Sequence, residues 1–175
     1  LVLLETQTAS SSATLSFTSG IDSTYKEYIF KFIDIHPSAT NIFQFQGSID
    51  TGSNYNVAMT TSFFQTSHDE ANTATELAYA AASDLAQGTG FQRLSKPSST
   101  AADNNAVGTL RLFNPSSTTF VKHFIAVTNS TNSDTYSQQE FIGGYFNTTS
   151  AIDAIQFKFA AGNIDAGDIC LYGIK

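Results

Sequence analysis

The three histidines are the side chains of this 175-residue chain best suited to acid–base catalysis. An imidazole titrates near neutral pH and acts as a general base where a nucleophile lies beside it. His36 precedes a proline, His68 lies in a polar segment, and His123 has alternating apolar neighbours. None belongs to a nucleophile elbow, a zinc-protease motif or a phosphate-binding loop. We therefore predict that the chain is not an enzyme, and we interpret His123 as a core or interface histidine.

Carboxylates and the single cysteine are the next candidates for chemistry. Aspartates are spread along the chain without the spacing of a calcium-binding loop. Asp165 and Asp168 flank an Ala-Gly pair, a composition that favours a tight turn over a cation site. Cys170 lies in an apolar segment without a basic neighbour, so we expect a small hydrophobic side chain. We predict no metal ion and no cofactor.

The paired carboxylates of a glycosidase come from different strands, so the sequence alone does not show whether two of them lie close together. A glycoside hydrolase of jelly-roll form therefore stays as a third alternative.

Aromatic and amide side chains in polar segments are candidates for ligand contacts. Asn54 and Tyr55 lie in the Ser48–Asn56 loop, Tyr79 lies in an alanine-rich stretch, and Tyr136 follows the polar segment NSTNSDT. Such side chains combine apolar surface with hydrogen-bonding groups, as in many binding loops. These four residues form a hypothetical glycan-binding set. The competing interpretation is that exposed tyrosines have no binding role.

Composition narrows the classes of partner. The chain carries 8 Lys and Arg against 15 Asp and Glu, a formal net charge of -7, so a nucleic-acid partner is not expected. No apolar run approaches the roughly 20 residues that span a bilayer, so no membrane insertion is expected. Only 13% of residues are charged, which indicates the uncharged polar surface of many β-rich or particle-associated proteins. Residues 1–175 fit a single domain. Because the first residue is not Met, we expect a trimmed or longer natural product.

Alternation of apolar and polar residues predicts the strands that position these side chains. The segments Ile155–Phe159 and Ile169–Tyr172 predict a terminal pair of core strands. Tyr25–Ile35 is apolar on both faces and predicts a central strand covered on both sides. Nine or ten strands with frequent turns predict an all-β antiparallel sandwich or jelly roll. Ser67–Glu70 has the form of a capping box, and alanines at helical spacing follow it, which predicts one short surface helix within Asp69–Gln87.

Four segments, taken in order, resemble structural proteins from tailed phages of marine bacteria, including cyanophages. They are Thr8–Leu15, Tyr25–Pro37, Asp84–Thr89 and Gly167–Ile174. The resemblance implies a virion component of jelly-roll type, assembled in the bacterial host cytoplasm.

The first hypothesis is a phage structural protein, either a capsid decoration (cement) subunit or a fibre subunit. Its partners would be other virion proteins, and it would form a homo-oligomer, with a trimer as the working hypothesis. The alternative is a carbohydrate-binding or host-receptor-binding module of a tail fibre, with a glycan as partner.

Overall fold

The computed structural model describes residues 1–132 and 135–175, which form twelve strands and no helix. The all-β prediction is therefore confirmed. No helix in these ranges is long and apolar enough to cross a membrane. The strands are β1 (Val2–Thr8), β2 (Leu15–Phe17), β3 (Glu27–Pro37), β4 (Asn41–Ser48), β5 (Met59–Asp69), β6 (Thr75–Tyr79), β7 (Gln92–Ser98), β8 (Ala106–Phe113), β9 (Lys122–Thr131), β10 (Tyr136–Phe146), β11 (Ala154–Phe159) and β12 (Ile164–Ile174).

Eight of the strands follow the topology of a jelly roll. Strand β1 pairs with β12, β2 with β11, β3 with β8, and β4 with β7, all antiparallel, so the chain folds back on itself in nested pairs. Successive pairs alternate between two sheets, which have the orders β1-β12-β3-β8 and β2-β11-β4-β7. This arrangement is the two-sheet sandwich of a jelly roll.

Two additional hairpins widen one of the sheets. The hairpin β5–β6 is inserted between β4 and β7, and the hairpin β9–β10 is inserted between β8 and β11. Strand β9 pairs with β8, β10 with β9, and β5 with β10, so the larger sheet has eight strands in the order β1-β12-β3-β8-β9-β10-β5-β6. We call β5, β6, β9 and β10 the extension.

Phenylalanine rings fill the space between the two sheets of the jelly roll. Phe157 of β11 is fully buried, and its centroid lies 5.2 to 6.3 Å from those of five other rings, which belong to Phe17, Phe30, Phe32, Phe43 and Phe45. Its neighbours in sequence, Gln156 and Lys158, point away from this cluster and are half-buried. The alternation read from the sequence therefore places this strand correctly.

The two terminal strands are in the core, but they do not pair with each other. Strand β11 lies between β2 and β4 in the smaller sheet, whereas β12 lies between β1 and β3 in the larger one. Their buried residues, Phe157 and Leu171 among them, therefore enter the same core from opposite sheets and do not face each other along a ladder. The prediction of core strands is confirmed, and the prediction of a strand pair is wrong. Sequence proximity favours a hairpin, but the nested topology sends consecutive strands to opposite sheets.

A bulge in β3 changes which residues face the core. Ile33 and Asp34 together oppose Val107 of β8, and Asp34 has a positive φ of 52°. The extra residue returns Ile35 to the inner face, where it is fully buried, and leaves Ile33 43% exposed. The expectation that both faces of this segment are covered is therefore wrong at Ile33.

The predicted turn at Asp165–Asp168 is wrong, because these residues lie within β12. Pairing of this segment with β3 is irregular on both sides of Ala166. Gly167 has a φ of 112°, and a Cβ there would lie 2.5 Å from the carbonyl oxygen of Asp34. Glycine is needed here for the close approach of two bulged strands.

The predicted helix within Asp69–Gln87 is also wrong. Ser67 continues β5, and the carboxylate of Asp69 accepts the backbone N–H groups of Thr73 and Ala74, each at 2.8 Å, which closes the turn of a hairpin. Residues Thr75–Tyr79 then pair with β5. Hydrogen bonds to an existing sheet outweigh the helix propensity of the alanines, because the predicted helix has no large apolar face to bury.

We predict that Phe157→Ala lowers the free energy of unfolding by about 3 to 5 kcal/mol, because it removes a ring packed against five others and leaves a cavity. Urea denaturation followed by tyrosine fluorescence measures the change. The matched control is Phe120→Ala, which truncates a ring that is 69% exposed and should change stability by less than about 0.5 kcal/mol. Equal effects of the two substitutions would contradict the placement of Phe157.

Candidate functional site

The inner face of the extension changes from apolar to polar along its strands. Phe63, Phe124 and Ile142 are buried against the core at one end. Polar side chains occupy the inward positions further along, and all are at most 5% exposed: Gln65, Thr128, Ser130, Gln138 and Glu140. Strand β7 of the smaller sheet packs over β9 and β10, while β5 and β6 lie beyond it. The extension therefore overhangs the sheet that covers it.

A cleft of about 430 Å³ opens at this overhang. Its floor includes Gln65 and Gln138, which are 4% and 5% exposed. Its walls carry hydroxyl, amide and charged groups from β5, β6, β7, β10 and the residue that follows β9. They are contributed by Ser67, Thr75, Glu76, Lys96, Asn132 and Tyr136. The cleft is thus polar, and it collects both hydrogen-bond donors and acceptors.

Glu140 lies buried behind the cleft in a network of three hydrogen-bonding groups. Its Oε1 accepts the backbone N–H of Lys96 at 2.9 Å, and its Oε2 lies 3.1 Å from Thr128 Oγ1. The Thr128 hydroxyl also contacts the carbonyl oxygen of Leu94, which can only accept. One hydroxyl proton cannot serve both neighbours. The network is complete when Glu140 carries a proton and donates it to Thr128, which then donates to Leu94.

The environment of Glu140 favours that protonated form. Burial raises the pKa of its carboxyl to about 7, against the opposing effect of the hydrogen bond from the Lys96 amide. An ionised carboxylate here would lose its hydration without an ion pair, since Arg111 and Glu27 form the ion pair seen within residues 1–132 and 135–175. Glu140 is therefore neutral through most of the acidic pH range and about half ionised near pH 7.

The outer face of the extension is uncharged and partly apolar. Phe64 and Phe141 stack with centroids 4.8 Å apart, and Ile125 is 52% exposed beside Gly143. Together with Ser62 and Val127 these residues line a hollow of about 300 Å³. A Cβ at Gly143 would meet only Ser62 Oγ, at 3.8 Å, so the missing side chain opens the hollow.

No Asp, Glu, Lys or Arg occupies an outward position of the four extension strands in the described residues. Leu77 and Tyr79 of β6 lie on the same side and are 76% and 59% exposed. We call this surface, from β6 to β9, the outer face of the extension.

The four residues predicted to contact a glycan do not form one site. Strands β5 and β10 pair along their whole length, from Met59 with Phe146 to Asp69 with Tyr136, a span of roughly 33 Å. The Asn54–Tyr55 segment precedes β5, so it lies at the end opposite Tyr136.

The hydroxyl of Tyr55 is buried without a hydrogen-bond partner among the described residues, and Asn54 bonds Asp50. Asp50 is thereby held ionised, and hydrogen bonds from Ser48 and then Asn54 lower its pKa to about 2.

Tyr79 is on the outer face, where its hydroxyl donates to Asp84. Tyr136 alone lies in the cleft. Part of the segment that precedes Tyr136, residues 133 and 134, lies outside the described residues.

The other titratable side chains considered make structural contacts. His36 Nδ1 lies 2.7 Å from the carbonyl oxygen of Asn104, and His68 Nε2 lies 3.1 Å from Asn72 Oδ1. His123 is exposed on the outer face near the Tyr145 ring, so the prediction of a core histidine is wrong, whereas that of an interface histidine stays a prediction. The inward residue is its neighbour Lys122, whose Nζ donates to the Thr148 carbonyl at 3.1 Å and whose pKa is lowered by burial.

Cys170 and the aspartates do not form a recognisable metal centre. Cys170 is buried and its sulfur lies 3.6 Å from Thr6 Oγ1. The Thr8 hydroxyl donates to Asp168 at 2.5 Å. Within the described ranges, no group of three or more His, Cys, Asp or Glu side chains is placed to hold a metal ion.

Sequence reasoning missed Gln65, Gln138 and Glu140, which form the cleft floor and the network behind it. A signal was present, because each lies two residues from another inward residue in a strand that starts or ends with buried apolar side chains, as in Phe63-Phe64-Gln65 and Glu140-Phe141-Ile142. Polar residues that lie on the same face of a strand as core residues indicate a polar interior. From the sequence alone they cannot be distinguished from solvent-facing residues, because the register of the strand is not known.

We predict that stability falls as pH rises, because of Glu140. Its folded pKa of about 7 lies above the ordinary value of 4.5 for an exposed glutamate. The contribution is therefore fully present below pH 4.5 and is lost as pH rises through about 7, a change on the order of 3 kcal/mol. Glu140→Gln keeps the hydrogen bonds of the neutral acid and should abolish this slope. Urea denaturation at several pH values between 4.5 and 8 measures it.

The matched control is Glu76→Gln, which neutralises an exposed glutamate in the same cleft and leaves Glu140 to titrate. Depressed carboxyl pKa values such as that of Asp50 act below this pH window, with the opposite sign. The same slope in Glu140→Gln and in the parent protein would contradict the assignment.

Comparison with protein-family models and with curated proteins found no match for this chain. The geometry of the extension, with its uncharged outer face and its polar cleft, therefore carries the functional argument.

Proposed function

We propose that this chain is a non-catalytic structural subunit that acts by packing against a second copy of itself through the outer face of the extension. The observation that carries the proposal is the uncharged, partly apolar surface formed by Phe64, Ile125, Val127 and Phe141 around the hollow at Gly143. Contiguous exposed apolar surface of this kind marks interaction sites on soluble proteins.

The distribution of charge over the chain supports a second copy as the partner that covers the outer face of the extension. The chain has a formal net charge of -7, so two copies repel each other over most of their surfaces. The outer face of the extension carries no formally charged residue in its described part. Two copies that meet here bury apolar surface without burying an unpaired charge.

The shape of this face supports the same arrangement. Ile125 projects next to Gly143, its neighbour across the β9–β10 ladder. A two-fold axis near this pair brings Ile125 of each copy opposite the hollow at Gly143 of the other, as an isologous contact requires. The exposed ring of Phe64 then extends the contact toward β6.

The virion part of the proposal rests on the resemblance to phage structural proteins, and the jelly-roll topology agrees with it. In that setting the subunit decorates a capsid or builds a fibre, and self-association is its mechanism. Mass spectrometry of purified particles tests this part, because a virion subunit co-purifies with them in fixed stoichiometry.

We predict that Ile125→Lys weakens self-association at least tenfold, because it places one ammonium group per copy into an apolar contact. Sedimentation equilibrium over a range of protein concentrations measures the dissociation constant. Phe120→Lys is the control, since it adds the same charge at a side chain that is 69% exposed and lies outside the extension.

Gly143→Leu provides a second test at the same place. A leucine fills the hollow and meets only Ser62 Oγ at its Cβ, so it should disturb association and not the fold. A dimer that dissociates in Ile125→Lys and Gly143→Leu supports the proposed face, because a two-fold contact pairs two copies. A chain that is monomeric at all concentrations, or an oligomer indifferent to both substitutions, overturns it.

A further inference from the structure

The cleft on the inner side of the extension contains a buried acceptor without a donor. Gln65 is 4% exposed, and its Nε2 donates to Glu76 Oε2 at 2.8 Å, which fixes the orientation of the amide. Its Oε1 is buried and has no hydrogen-bond partner among the described residues. A buried polar atom without a partner destabilises a fold, so such an atom at the floor of a cleft indicates a place for a donor from outside the chain.

Two opposite charges stand on the walls of the same cleft. Glu76 lies on β6 and Lys96 on β7, and both line the opening. They do not form an ion pair with each other, since the ion pair found in the described part of the chain joins Arg111 and Glu27. The charges of the lining cancel, which disfavours an anion or a cation as the natural occupant.

We infer that this cleft binds a neutral saccharide unit. Each saccharide hydroxyl both donates and accepts, so one hydroxyl can donate to Gln65 Oε1 while others contact Gln138, Glu76 and Lys96. The Tyr136 ring and Pro97 add apolar surface for the C–H groups of a pyranose. A volume of about 430 Å³ is in the usual range of small-ligand sites.

This inference is independent of the proposed assembly face, because it uses the inward residues of the same strands. Gln65 and Glu76 point toward the smaller sheet, whereas Phe64 and Leu77, their neighbours along β5 and β6, point outward. Loss of one activity therefore leaves the other in place, and the two can be tested on the same protein.

A nuclear magnetic resonance titration tests the inference. The probes are glucose, galactose, mannose and N-acetylglucosamine, with glucuronate and glucosamine as charged counterparts. We expect at least one neutral sugar to shift the side-chain amide resonances of Gln65 and Gln138 in a saturable way. Gln65→Leu removes the acceptor and should weaken that binding about tenfold.

The control is Gln139→Leu, the same change at the residue beside Gln138 that points to the outer face. It should leave the dissociation constant unchanged. Glu76→Ala is a second cleft variant, at an exposed position where folding is not at risk, and it should also weaken binding. Thermal unfolding of each variant confirms that the protein is folded.

Three outcomes overturn the inference. The first is that no neutral sugar produces saturable shifts. The second is that only glucuronate or glucosamine binds, which makes the cleft a site for charge. The third is that Gln65→Leu and Glu76→Ala bind as tightly as Gln139→Leu, which places the sugar elsewhere.

Discussion

The larger sheet has eight strands and the sheet that covers it has four, and most other features of the structure follow from this inequality. Where the two sheets overlap, phenylalanine rings around Phe157 fill the interior. Where the larger sheet extends beyond its cover, apolar side chains on the inner face would meet water. The chain instead places Gln65 and Gln138 at this margin, and Glu140 lies just inside it, buried under β7, so the interior turns polar as the cover ends.

The extension therefore presents two surfaces of opposite character on the same four strands. Inward residues form a polar cleft with an acceptor at its floor, and outward residues form an uncharged face with a hollow at Gly143. Alternation along a strand separates the two surfaces by the thickness of one sheet. If the proposed assembly through the outer face and the inferred saccharide binding both hold, each assembly displays one cleft per subunit, and several weak clefts together would bind a glycan-covered surface far more tightly than a single cleft.

The alternation of apolar and polar residues was sufficient to predict the strands of the core, but it was insufficient to predict how these strands pair. Phe157 alternates with polar neighbours, so its strand and its inward side follow from the sequence. The neighbour of β11 in the sheet is set by topology over more than a hundred residues, so the predicted terminal pair was wrong. Part of the alanine-rich segment that suggested a helix forms the strand β6, because it forms hydrogen bonds to β5. The local sequence does not show that this partner strand is available.

Only part of the candidate site could be predicted from the sequence. Tyr136 was selected for its loop context and does lie in the cleft, whereas Tyr55 and Tyr79 lie elsewhere. Gln65 and Glu140 were missed because the alternation of residues along a strand does not show which face points inward.

The nested order of the strands also has a consequence for synthesis of the chain on the ribosome. Strands β5 and β6 are made early, but β5 joins the larger sheet only through β10, which is completed some eighty residues later at Phe146. Until then the early hairpin has no neighbour for one of its edges, and Phe63 has no core to enter. Nascent chains of this kind expose an apolar strand for seconds during translation, the interval in which chaperone binding protects such an edge from aggregation.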